Sequence, residues 1–152
     1  DKVSSGEIAN LSYEDLSNEI WANRVVIRSS NNIYNQSLVA SMISNIGIKK
    51  TEEWAKGLVT NFARKPQGND RSQIMAVAYG EADVAIANTY YYGLMLSGTA
   101  GTDQLNAAKK VKMIFPNKDN RFVRKDFRRL YCNIRIFLVS NHITFSKTGT
   151  LH

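Results

Sequence analysis

Asp83-Val84-Ala85-Ile86-Ala87-Asn88-Thr89-Tyr90-Tyr91-Tyr92-Gly93 sets the architecture of this chain. Asp83–Ala87 is a short apolar run and reads as a buried strand; Asn88-Thr89 are helix-start residues, and the pattern predicts a helix through Leu96. The same grammar appears upstream. Arg24-Val25-Val26-Ile27-Arg28 is a β-branched strand, and Ser29, Ser30, Asn31 and Asn32 form a turn and cap. Leu38, Val39, Met42, Ile43 and Ile46 then recur at helical spacing until Gly47. Between these units, Thr51–Phe62 reads as a helix opening on a capping box, with Trp54, Leu58 and Phe62 on one stripe. Pro66–Asp70 reads as a loop with Asp70 capping a helix through Ala78, broken by Gly80. Downstream, Gly98 and Gly101 mark a loop, Asp103–Lys109 a helix, and Lys112–Phe115 a strand stopped by Pro116-Asn117. Before them all, Ser12–Leu16 reads as a short capped helix. Strands alternating with helices predict an α/β domain, its mixed or parallel sheet flanked by helices. In such sheets ligands gather beyond the C-terminal strand ends, beside helix N-termini.

The 152 residues suit one domain with room for an appendage. No apolar run approaches the roughly 20 residues a membrane helix needs, so no membrane insertion is expected. Asp1–Glu7 lacks a signal-peptide pattern, which suggests a mature form or a fragment. Cys132 is the single cysteine and the histidines are His142 and His152, so neither a thiolate cage nor a Ser-His-Asp triad fits the body of the chain. The net charge of +7 is unevenly spread: residues 1–120 carry 13 basic against 12 acidic side chains, residues 121–152 carry 7 against one. Arg121, Arg124, Lys125, Arg128 and Arg129 crowd the start of that tail. The apolar run Tyr131–Val139 behind them suits a strand or a buried helix equally.

The tyrosines follow a strand end, and so does Tyr34 after Ser29–Asn32. Neighbouring side chains converge on one point only at an irregular junction. From the residues alone, three tyrosines read as packing before binding, and the Ser/Asn cluster as a helix cap before an anion cradle. Phenols ordinarily keep their proton at neutral pH. A hard, highly charged cation displaces it, and several phenolates without histidine or cysteine suit Fe(III) better than zinc or copper.

Arg28–Met42, Thr51–Val59, Gln67–Asp70, Gly80–Tyr92 and Ile114–Asn117 occur in unbroken order, and this set resembles the periplasmic ferric iron-binding proteins of bacterial iron ABC importers, closest in their cyanobacterial-type branch. The resemblance implies one lobe of a type II periplasmic-binding-protein fold. It implies Tyr34, Tyr90 and Tyr91 as Fe(III) ligands and Tyr92 as packing. Ser30, Asn69 and Asn88 fall near positions of an anion or second shell. It further implies a periplasmic location, an ABC transporter permease in the inner membrane as partner, and an N-terminal lobe of the same protein that this chain lacks. Residues 1–120 read as the second lobe. Residues 121–152 read as a basic tail unlike the family, frameshifted, misassembled or disordered. Two other readings compete: an anion or small-solute lobe using helix N-termini after Ser30 and Asp70, and nucleic-acid binding through Arg121–Arg135. Scattered carboxylates and a body without His or Cys argue against an enzyme.

Overall fold

The structure is a computed structural model that describes residues 11–116 and, as backbone, 134–139. Two 3₁₀ turns, Glu14–Ser17 and Glu19–Trp21, lead into strand β1 (Val25–Ile27). Helices α1 (Ile33–Ile46), α2 (Ile48–Thr60) and α3 (Asp70–Ala78) precede β2 (Val84–Asn88). Then come α4 (Thr89–Leu96), α5 (Thr102–Lys110), β3 (Val111–Ile114) and β4 (Ile134–Val139). The sheet order is β1-β2-β4-β3. β1 and β2 run parallel, with Val25 opposite Val84, while β4 lies antiparallel to both β2 and β3. The sheet is mixed, as the strand–helix rhythm predicts.

The period-2 alternation of strands assigns each face. Val25, Ile27, Val84 and Ile86 enter one core cluster with Leu16, Trp21, Leu38, Met42, Trp54 and Leu58, so α1 and α2 cover that face. Val26, Ala85 and Ala87 enter the other, against Ile74 and Val77 of α3, Met95 of α4 and Ala107 and Ala108 of α5. Alanine dominates this second interface, and its small side chains let the helices approach the strands closely. The N-terminal turns are tied down by buried polar contacts: Trp54 Nε1 donates to the Tyr13 carbonyl at 2.7 Å, and the Asn61 amide donates to the Leu16 and Asn18 carbonyls at 2.9 and 2.7 Å. Arg24 pairs with Asp83 at 2.6 Å and stacks over the Trp21 ring, locking the entry of β1 to the entry of β2.

Two sequence expectations shift and one open reading resolves. The second long helix begins at Ile48, not at a Thr51 capping box; Thr51 is buried and its hydroxyl turns back to the Gly47 carbonyl at 2.8 Å. Asn69, not Asp70, caps α3, because the Asn69 side chain accepts from Ser72 N–H while the Asp70 carboxylate turns inward. Within Tyr131–Val139, residues 134–139 form a strand that extends the sheet past residue 120. The rest of the basic tail, with Arg121, Arg124, Lys125, Arg128, Arg129, Cys132, His142 and His152, lies outside the described residues.

Gly57 lies inside α2, where Gly→Ala ordinarily adds about 1 kcal/mol through helix propensity. Here a Cβ would sit 2.7 Å from the Ser17 carbonyl oxygen and 2.8 Å from Ser17 Cβ. Overpacking of that kind costs ~1–3 kcal/mol, so the sign reverses. Gly57→Ala is expected to lower the thermal midpoint by circular dichroism, whereas an unchanged or higher midpoint would show that the turn does not rest on α2.

Candidate functional site

β1 and β2 are parallel neighbours, so the chain leaves both at the same end of the sheet. At each exit an asparagine starts a helix in the same way. The Asn32 side chain accepts from Tyr34 N–H at 3.0 Å, and the Asn88 side chain accepts from Tyr90 N–H at 2.9 Å. Tyr34 and Tyr90 therefore hold the same position, second in the helix, on adjacent junctions. Tyr91 follows one residue later in the first turn of α4. No irregular junction is needed: the tyrosines belong to regular first turns, and Tyr34 meets Tyr91 because the two helix starts follow adjacent parallel strands.

The rings meet edge to face. Tyr90 and Tyr91 have centroids 5.3 Å apart and planes at 79°; Tyr34 and Tyr91 are 6.3 Å apart at 72°. Tyr90 is 66% exposed, while Tyr34 and Tyr91 are half-buried, so the cluster has an open side. Helix N-termini carry partial positive charge, which favours an anion in the first turn. Burial pushes the Tyr34 phenol above the ordinary phenol range; the Tyr91 phenol beside it and the Asp70 carboxylate push the same way, and the Arg28 guanidinium opposes them. Tyr92 is different. It packs against the alanine-rich core with its hydroxyl 3.5 Å from the Val111 carbonyl, and burial raises its pKa, as befits the packing role read for it.

Asp70 and Arg28 stand behind the tyrosines, and neither is named as functional by the sequence reading. Asp70 is 1% exposed; one carboxylate oxygen accepts from Asn88 N–H at 2.8 Å and the other pairs with Arg28. Arg28 follows β1, and its carbonyl accepts from the Asn35 amide at 2.7 Å. A charged residue at the exit of a buried strand is a weak signal, and its partner 42 residues away leaves none.

The three residues near the expected anion shell are placed as follows. Asn88 is buried, with its side-chain oxygen committed to the α4 cap. The Asn69 oxygen accepts from the Ser72 N–H and hydroxyl. Ser30 is exposed in the turn, and its carbonyl accepts from Gln36. Among the described residues, no group of three or more His, Cys, Asp or Glu side chains is placed to hold a metal ion. A groove of about 430 Å³ between α1 and α2 is lined chiefly by Leu38, Val39, Trp54, Leu58 and Phe62; Arg28, Ser30 and Asn35 border it at the β1 exit, and no tyrosine does.

No family model matches the chain. Iron uptake protein A1 of Synechocystis is 50% identical over 120 residues, which are 79% of this chain and 32% of that protein. The Trichodesmium protein solved with iron and citrate ligands superposes with a TM-score of 0.71 at 42% identity, over 91% of this chain and 39% of its own. The chain is a homologue of the ferric iron-binding proteins. The ferric binding protein of Campylobacter jejuni extends the likeness, with a TM-score of 0.71 at 35% identity over 85% of this chain and 37% of its own. The chain spans about a third of the length of the curated relatives it matches. It has the fold of one lobe of these proteins.

Because the Tyr34 pKa is raised in the folded state, the neutral phenol stabilises the fold below the ordinary phenol range, and that contribution is lost as pH rises through the folded value. An ultraviolet alkaline titration of the native protein is expected to show a late-ionising phenol that Tyr34→Phe removes. A variant that loses only an early-ionising phenol would contradict the burial assigned to this ring.

Proposed function

We propose that this chain is the iron-gripping lobe of a ferric solute-binding protein, in which Tyr34, Tyr90 and Tyr91 take Fe(III) as phenolates. The observation that carries this reading is three phenol rings, within 6.3 Å centroid to centroid along the chain of contacts, at the N-termini of two parallel-strand helices. The relatives named as iron uptake and ferric binding proteins supply the solute. The complete protein works in the periplasm and hands iron to an ABC transporter permease in the inner membrane, and a facing N-terminal lobe closes over the metal. Its activity is solute binding, not catalysis.

The chemistry follows from charge. A phenol binds iron only after losing its proton, and Fe(III) supplies the electrostatic stabilisation that makes the loss favourable. The positive ends of α1 and α4 lower the cost of gathering phenolates. One lobe leaves iron coordination positions for water or a chelator, so iron on this chain alone exchanges faster than in a closed two-lobed protein.

Titration with a ferric chelate is expected to colour the protein through a tyrosinate-to-Fe(III) band in the visible. Joint substitution Tyr90→Phe and Tyr91→Phe should abolish it, and Tyr34→Phe should weaken it. Apparent affinity should rise with pH through the neutral range, because the raised Tyr34 phenol must release its proton. A parent protein that stays colourless defeats the reading. Saturable phosphate binding without iron would then favour the anion-binding alternative at the helix N-termini after Ser30 and Asp70.

A further inference from the structure

The three tyrosines come from two helices, and neither helix by itself fixes the distance between them. A third element links them, beside the pairing of β1 with β2. Asp70 is the first residue of α3, which packs on β2 and α4, and its carboxylate is almost wholly buried. One oxygen accepts from the backbone N–H of Asn88, the residue whose side chain starts the Tyr90–Tyr91 turn. The other meets the guanidinium of Arg28. Arg28 is in turn held through its carbonyl by Asn35, one residue after Tyr34 on α1. The path therefore runs from Tyr34 and Asn35 through Arg28 and Asp70 to Asn88, Tyr90 and Tyr91.

We infer that the Arg28–Asp70 pair is a positioning device for the metal site, setting the spacing of the two tyrosine-bearing helices without touching the metal. This deepens the iron reading and rests on it. Supporting partners behind metal ligands fix ligand orientation, and their loss typically lowers metal affinity roughly 10- to 100-fold. The pair also has a signature that burial alone would not produce. If its role is to hold a distance, a neutral amide pair that can still hydrogen-bond should replace it in part, whereas either half-changed pair should not.

The test is a double-mutant cycle on the full 152-residue chain. Parent, Asp70→Asn, Arg28→Gln and the double variant are titrated with ferric citrate, following the visible band and competition by excess citrate. Far-ultraviolet circular dichroism monitors the fold. Each single variant is expected to fold, to bind iron roughly 10- to 100-fold more weakly, and to show a shifted or fainter band. The double variant should recover a measurable part of both. Should Asp70→Asn fail to fold, Arg28→Gln decides the matter, because Arg28 is 19% exposed at the edge of the pair and its loss leaves the Asp70 to Asn88 bond in place. Folded single variants with the parent band and affinity overturn the inference while leaving the iron reading intact. A parent without a band overturns the iron reading and this inference with it. Additive losses in the double variant, with no recovery, also overturn the positioning role.

Discussion

The site hangs on one buried carboxylate. Removing an ion from water costs several kcal/mol, and a buried charge survives only when its lone pairs are taken up. Asp70 meets that demand with Arg28 on one side and the Asn88 N–H on the other. Both partners sit at strand exits, so satisfying the charge also joins the exit of β1 to the exit of β2 through the start of α3. Truncating one member of such a pair leaves the other buried and uncompensated, at a cost of ~3–5 kcal/mol. The arrangement thus serves geometry before stability: a packed apolar pair would hold the fold as well, but it would not offer a directed acceptor to the Asn88 amide.

Parallel pairing supplies the rest. Had β1 and β2 run antiparallel, their exits would lie at opposite ends of the sheet and the two asparagine-capped helices could not share a corner. With Val25 opposite Val84 and Ile27 opposite Ile86, both exits open on the same end of the sheet, β2 running two residues further than β1. Equal capping then places Tyr34 and Tyr90 at equal depth in their helices. The alternation of Val25 and Ile27 against Val26 buries both faces of the sheet, so the strand ends and their loops are where polar chemistry has access to solvent.

Much of this was legible locally. The strands 25–27 and 84–88, the run of α1 to Ile46 and its stop at Gly47, with φ of 85°, follow from periodicity and turn chemistry. The tyrosines drew attention by following a strand, and the resemblance alone implied a ligand role for them. What escaped was set by partners distant in sequence. Asp70 is an ordinary helix-start residue until Arg28 and Asn88 are seen beside it. Thr51 looks like a cap because its hydroxyl is free to be one, yet its tertiary setting buries it in the helix interior. Ile134–Val139 has the composition of either element, and only the open edges of β2 and β3 on either side select the strand. The carriers of the resemblance, by contrast, were short exact runs in order, which need no tertiary context to be recognised.

A donor set made of phenols selects by charge more than by size. An ordinary phenol keeps its proton at neutral pH, and burial of Tyr34 makes that ring's proton harder still to remove. A trivalent ion returns more electrostatic energy to each anionic oxygen than a divalent ion does. Burial of Tyr34 therefore does not weaken the proposal; it raises the threshold that an ion must meet. The positive ends of α1 and α4 lower that threshold for any anion, but by an amount that does not depend on the metal. On the reading proposed above, discrimination for Fe(III) over divalent ions resides in the phenols, while the helices and the Arg28–Asp70 pair determine where those phenols stand.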